Sequence, residues 1–328
     1  MRTIYFNGFG GPEVIEVRDV PAPAPARGEV LVKVRGAGLN RADLLQRMGA
    51  YPPPPGYRVE MPGLELAGEV VALGEGVSEW RVGDRVMSIT SGEAQAELAV
   101  LHERMLVRIP EGMSYEEAGG VPEAFVTAHD ALFTIGGLRP GWTVLVHAVG
   151  SGVATAAVQL ARTAGATVIG TSRSADKLER ARELGLDHGV LVERGGPRFA
   201  DRVKELTGGQ GAQLILDFVG ASYVAENLTA LASCGTLVGI GLMGGLMGTL
   251  DLGLLLRRRL RIEGTVLRSR PFEEKIRAMQ AFRAEVLPLL AARRVRPVLE
   301  AIYPLAEART AYERMERNEN FGKFVITP

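Results

Sequence analysis

The chain has 328 residues, 46% of them hydrophobic, with 38 basic and 38 acidic side chains and a formal net charge of zero. That length accommodates two domains, the composition excludes a disordered chain, and the charge balance excludes a basic face for nucleic acid or a polybasic membrane patch. A single cysteine, Cys234, excludes an internal disulfide and fits a reducing compartment. The opening MRTIYFNGFGGPEVIEV lacks the apolar run of a signal peptide, so a cytoplasmic location is expected.

Up to about residue 120 the chain alternates in short runs punctuated by glycine and proline: EVLVKVRGAGL (29–39), LAGEVVALGEGV (66–77), GDRVMSI (83–89) and ERMLVRIP (103–110). This patterning predicts a small β-rich or barrel domain. Two proline-rich patches interrupt it, PAPAPARG (21–28) and YPPPPGY (51–57). Beyond residue 120, apolar strands alternate with amphipathic helices: TVLVHAV, GVATAAVQLARTAG, TVIGTS, SADKLERARELG, HGVLV, FADRVKELTGG, AQLILDFVG, YVAENLTALAS and GTLVGIG. The β-α-β-α rhythm predicts the doubly wound parallel sheet of an α/β Rossmann domain. Ser174 is placed to cap a helix that Gly185 ends, with Asp176 in its first turn. The uncharged stretch 228–250 is long enough for a membrane span and carries a GxxxG spacing at Gly235 and Gly239. Its many glycines predict instead a helix end, a buried strand and a glycine loop, since strands inside a parallel sheet are apolar on both faces. From about Ile262 a strand, a helix over 273–293 and a short tail are expected.

The stretch HAVGSGVATAAVQLAR (147–162) carries the clearest chemical signal. A helix N-terminus offers free N–H groups and partial positive charge to a pyrophosphate, and small residues let the phosphates approach. Gly150, Ser151 and Gly152 supply the smallness. Ala154 stands where the third glycine of the dinucleotide pattern falls, and Val149 where the first does. A merely structural βα turn is the rival reading. The next strand ends GTSRSADK, with no carboxylate at its tip to hold ribose hydroxyls. Thr171, Ser172, Arg173, Ser174 and Lys177 suit a 2′-phosphate, hence NADPH; the rival is a solvated helix start.

Four histidines (His102, His129, His147, His188) and one cysteine show no metal-ligand spacing. Ser151 lies near His147, but the flanking Val149 and Val153 break the GxSxG nucleophile elbow, so hydrolysis is disfavoured.

Several stretches together resemble one family: GLNRADLLQRMGAYPPPPGYRVEMPGLELAGEVVALGEGV, VPEAFVTAHDAL, the 147–162 turn, DFVGASY, GLMGG, LRSRP and NENFGKFVI. They are similar to the zinc-free, zeta-crystallin-like quinone oxidoreductases of the medium-chain dehydrogenase/reductase superfamily, nearest their tumour-suppressor-inducible branch. The resemblance implies a GroES-like β-rich catalytic domain (1–121 and 269–328) and a Rossmann NADPH-binding domain (122–268), with cofactor and substrate meeting between them. Zinc-dependent relatives place a cysteine at Asn40 and a histidine at Leu64, so no metal is expected. The same resemblance assigns Asn40, Asp43 and Tyr51 to the nicotinamide and substrate, and Glu123 and Thr127 to the nicotinamide and its ribose. It assigns Gly150, Ser151, Gly152 and Val153 to the pyrophosphate, and Ser172, Arg173, Ser174 and Lys177 to the 2′-phosphate. Val219, Gly220, Gly241, Leu242 and Met243 line the nicotinamide side, and Leu267, Arg268, Asn320 and Lys323 close the site. Val192 replaces a tyrosine that the family often has near the adenosine phosphate.

Tyr51 precedes four prolines, which stiffen the loop and hold the phenol in one place; a PxxP ligand or a rigid surface turn are the rival readings. The implied activity is metal-free hydride transfer from NADPH to a small-molecule quinone, the developing oxyanion meeting Tyr51, Asn40 or water. Two alternatives stay open. One is an enoyl-thioester reductase of the same fold, with the run Arg257, Arg258, Arg259 and Arg261 as a carrier or coenzyme A patch. The other is a non-catalytic NADPH-binding structural protein. The apolar run 237–250 and a sheet edge predict a homodimer.

Overall fold

The computed structural model describes residues 1–193 and 198–328, which divide into two compact units: unit 1 comprises Met1–Val126 and Leu267–Pro328, unit 2 Thr127–Val266. Seven strands begin unit 1: β1 (Arg2–Phe6), β2 (Ile15–Asp19), β3 (Glu29–Leu39), β4 (Glu65–Leu73), β5 (Arg85–Ile89), β6 (Leu98–His102) and β7 (Val107–Arg108). Six build unit 2: β8 (Thr143–Val146), β9 (Thr167–Ser172), β10 (His188–Leu191), β11 (Ala212–Asp217), β12 (Leu231–Gly239) and β13 (Arg261–Gly264). The chain returns to unit 1 for β14 (Leu299–Pro304) and β15 (Lys323–Thr327).

In unit 1, β1 and β2 form an antiparallel ribbon, and a seven-stranded sheet runs β14-β15-β3-β4-β5-β7 with β6 on β3. The alternation read in EVLVKV turns Val30, Val32 and Val34 inward onto Leu66, Val70, Val86 and Leu101. A second cluster gathers Phe6, Leu39, Tyr312, Phe324 and Ile326, with Phe6 edge-on to Tyr312 at 5.8 Å. The C-terminal segment thus completes the N-terminal domain by pairing β15 antiparallel to β3, Val325 opposite Gly38.

Unit 2 is a parallel sheet in the order β10-β9-β8-β11-β12-β13. Its central strands are apolar on both faces: Leu145, Ile169, Ile215 and Leu237 join one core with Phe199 and Val203, and the alternating Val144, Val168, Leu214 and Val238 are buried on the other side. Val192 belongs to the same core. The stretch 228–250 divides into the end of helix Val224–Ala230, strand β12 and a loop, as the glycine spacing predicts. No helix among the described residues is long and apolar enough to cross a membrane. The helix expected over 273–293 forms as Phe272–Ala281 and Leu287–Ala291, joined by a π-helical turn, Phe282–Val286, just before Pro288.

Unit 2 begins five residues after the expected 122 and ends two before the expected 268. Glu123 lies in unit 1 because its amide N–H donates to Glu65 Oε2 on β4 at 2.8 Å. Leu267 and Arg268 lie there too, the latter held by Ser91.

Candidate active site

In unit 2 the chain leaves β8 through His147 and enters the helix Gly152–Thr163 at Ser151, whose Oγ accepts from Ala154 N–H at 3.3 Å. Ser151 is therefore a helix cap, which accounts for the serine without a nucleophilic role. No acceptor among the described residues takes the Gly152 and Val153 N–H groups, so the helix start presents two open donors where a pyrophosphate fits. The turn's left-handed residue is Ala148 (φ 48°). Val149, the departure from the glycine pattern, is fully buried, and a compensating glycine faces it. A Cβ at Gly170 on β9 would come within 2.3 Å of Val149 Cγ1. The space that one glycine forgoes in the turn has been opened in the neighbouring strand.

The tip of β9 places Ser172, Arg173 and Ser174 in sequence, Arg173 exposed. Ser172 Oγ accepts from Ser174 N–H at 3.1 Å, and Ser174 caps the helix Ala175–Arg182 through Lys177 N–H, at 3.4 Å. Asp176 sits inside that helix, so no carboxylate stands at the strand tip.

Sequence reasoning missed the chain of hydrogen bonds that ties these strand ends together. His147 is fully buried; Nδ1 meets Thr171 Oγ1 at 2.8 Å and Nε2 meets Asn227 Oδ1 at 2.6 Å. Asn227 donates its amide to Asp217 Oδ2 at 2.9 Å, so its oxygen takes the proton on His147 Nε2, and Nδ1 accepts from Thr171. Burial holds His147 below the usual histidine range, keeping it neutral. Asp217 in turn accepts the amides of Val219 and Gly220, at 2.7 and 3.1 Å, which fixes the loop expected to line the nicotinamide. The rest of that lining, Gly241, Leu242 and Met243, follows β12, with Leu242 and Met243 half exposed. Thr127 is buried at the start of unit 2.

Unit 1 gathers charges instead. Lys323 on β15 reaches Glu65 Oε1 and, at 2.6 Å, Asn40 Oδ1; both partners of the ion pair are buried, with side-chain exposures of 5% and 0%. Asn40 donates to Gly38 O at 3.2 Å and to Glu65 Oε1 at 3.0 Å. The backbone must come close for this, and Gly38 permits it: a Cβ there would stand 2.2 Å from Glu65 Oε1. Asp43, in the helix Arg41–Arg47, is wholly buried. Its carboxylate accepts from Asn40 N–H (2.8 Å), Gly63 N–H (3.1 Å) and Gln95 Nε2 (3.2 Å). Burial nevertheless raises its pKa to about 6.

Arg268 is buried and donates to Ser91 O (2.8 Å), Tyr51 O (2.8 Å) and Gln46 Oε1, with its guanidinium 5.2 Å from the centre of the Tyr51 ring. It clamps the proline loop that carries the phenol. Burial, then the charge of Glu123, raises the Tyr51 pKa. Lys275 donates to Ser91 Oγ, and Asn320 turns inward to Gly322 O at 2.8 Å. Of the three residues expected to face substrate, Tyr51 alone keeps a side-chain polar group with no hydrogen bond from any described residue. Asn40 and Asp43 have their polar atoms committed within unit 1. Arg268 and Lys323, expected near the cofactor, are committed likewise. Glu65 carried a readable signal, a lone carboxylate between Leu64 and Leu66, because a buried charge needs a partner.

These residues do not fit a zinc ion. Leu64 is a buried hydrocarbon, the Asn40 amide is used, and the Lys323 ammonium already supplies the positive charge. Among the described residues no group of three His, Cys, Asp or Glu side chains is arranged to hold a metal.

Comparison with known proteins agrees with this architecture. Residues 26–137 match the alcohol dehydrogenase GroES-like domain, and residues 152–284 the zinc-binding dehydrogenase family. The chain is 33% identical to the human synaptic vesicle membrane protein VAT-1 homolog, over 100% of this chain and 86% of that one. It is 34% identical to a quinone oxidoreductase of Pseudomonas aeruginosa, over 100% and 99%. A solved mycobacterial protein complexed with NADPH superposes with a TM-score of 0.90 at 31% identity, covering 100% of both chains. With a GroES-like unit, a Rossmann sheet and these relatives, the chain belongs to the medium-chain dehydrogenase/reductase superfamily and is an oxidoreductase.

Proposed function

We propose that the protein reduces quinones with NADPH by hydride transfer, without a metal ion. The observation that carries the choice of coenzyme is the tip of β9, where Ser172, Ser174 and the exposed Arg173 stand without a carboxylate. A guanidinium and hydroxyls there favour a 2′-phosphate over a bare ribose. A bound nicotinamide supplies the hydride. The Gly152 and Val153 amides hold the pyrophosphate, the Asp217-anchored loop at Val219 and Gly220 orients the ring side, and Tyr51 donates to the quinone oxygen as charge develops on it. The quinone oxidoreductase and NADPH-bound relatives support this reading.

Two members of the basic run that the enoyl-thioester alternative invokes are engaged by the protein itself, while Arg257 and Arg259 are exposed. Arg258 donates to Leu228 O, Thr229 O and Leu231 O at the end of helix Val224–Ala230, and Arg261 to Thr236 Oγ1. Exposed Leu246 (78%) and Met247 (91%), in the loop after β12, and Leu256 (72%), on the helix Leu252–Arg258 before the edge strand β13, support a homodimer, testable by light scattering. Steady-state assays test the function: kcat/KM for NADPH should exceed that for NADH, with quinones preferred over alcohols and crotonyl thioesters. Equal use of NADH, or crotonyl-thioester reduction without quinone reduction, would refute it.

A further inference from the structure

Hydride transfer to a quinone leaves one proton to be found, and unit 1 holds a group suited to give it. Glu65 and Glu123 are neighbours with unequal partners, the Glu123 amide lying on the Glu65 carboxylate. Glu65 accepts from Lys323, from Asn40 Nδ2 and, at 2.8 Å, from the amide of Glu123 itself. No hydrogen bond from any described residue reaches the Glu123 carboxyl, and Glu123 is largely, though not fully, buried. Two carboxyls beside one ammonium do not both stay charged: the one that owns the counterion keeps the charge, and the other keeps the proton.

The remaining neighbours do not reverse this. Asp43 adds a second repulsion, from helix Arg41–Arg47. The cations facing Glu123 are Lys323 on β15, Arg268, and Lys275 on helix Phe272–Ala281. All are engaged elsewhere: Lys323 with Glu65 and Asn40, Arg268 with Ser91, Tyr51 and Gln46, Lys275 with Ser91. Tyr51, on the proline loop, senses the Glu123 charge directly. Burial first, and Glu65 second, lift Glu123 to about 8.

We propose that Glu123 is the proton donor of the reduction, and that Glu65 and Lys323 are positioning residues that keep its proton in place. This rests on the proposed hydride transfer. The quinone takes a hydride from the reduced nicotinamide and a proton from the Glu123 carboxyl. The products are the hydroquinone, the oxidised coenzyme and a Glu123 carboxylate, which regains its proton from water.

The test pairs kinetics with a readout that needs no turnover. In the wild type, kcat with a benzoquinone should fall as pH rises through a midpoint near 8. Glu123→Gln should lower kcat at neutral pH by about ten- to a hundredfold and abolish that midpoint, while Glu123→Asp keeps a displaced one. Infrared difference spectra of the protein without coenzyme should show a protonated carboxyl band that titrates near 8 and is missing from Glu123→Gln. The midpoint surviving in Glu123→Gln, or no protonated band at neutral pH in the wild type, would overturn the proposal. The wild-type spectrum decides the question even if the glutamine variant does not fold. A wild type that oxidises NADPH with no quinone defeats the proposed function and this step with it; a failed titration in an active wild type defeats the step alone.

Discussion

The two units solve the problem of a buried polar site in opposite ways. Unit 2 passes hydrogen bonds from Thr171 through the neutral His147 and Asn227 to one carboxylate, Asp217, which accepts two loop amides from the other side. Unit 1 buries formal charges, with Lys323 shared by Glu65 and Asn40 and with Glu123 beside them. A lone carboxylate surrounded by hydrogen-bond donors fixes geometry at low electrostatic cost. A buried charge cluster costs more to assemble, but it changes protonation. Under the proposed function, the difference suits one unit to a coenzyme and the other to an acceptor.

The largest expected effect breaks the charge cluster. Lys323→Met leaves Glu65 buried without its counterion and should cost about 3–5 kcal/mol in denaturant unfolding. A loss below about 1 kcal/mol would show that the cluster contributes little. In unit 2 the comparable break is steric. Gly170→Ala should cost about 1–3 kcal/mol by driving a methyl group into Val149, and Val149→Ala should recover much of that loss in the double variant. Additive losses would disprove the complementary fit of turn and strand.

Smaller effects separate coenzyme from acceptor. Arg173→Ala should raise the KM for NADPH about tenfold and leave that for NADH within twofold, since one charge-assisted contact is lost. Tyr51→Phe should lower kcat with quinones by roughly tenfold, with NADPH affinity measured by calorimetry unchanged within twofold. Unchanged turnover would remove the phenol from the chemistry.

The smallest effect concerns stability against pH. Glu123 is raised to about 8 from the usual carboxylate range, so between roughly pH 4.5 and 8 the folded chain holds a proton that the unfolded chain has released. Wild-type stability therefore falls as pH rises through that window, and Glu123→Gln escapes the fall. Its Tm relative to wild type should grow by ~1–3 °C from pH 5 to pH 8.5. A difference independent of pH would mean that Glu123 holds no extra proton.

Much of this was present in the residues alone. Periodicity was enough for the β-rich unit and the parallel sheet, because a strand's two faces and a helix's stripe follow from local repeats. The GSG turn, the Ser174 cap and the carboxylate-free strand tip are also local, since each depends on neighbours within a few positions. What the tertiary structure decided lies between distant residues. Val149 is tolerated because of Gly170, His147 is silent because Thr171 and Asn227 enclose it, and Lys323 meets Glu65 because β15 pairs with β3. Asn40 and Asp43 are named by the family resemblance, which does not show that Glu65, Lys323, Gly63 and Gln95 engage their polar atoms. Which atoms of a buried polar group are already taken depends on partners brought together only by the folded sheet, and no local pattern encodes them.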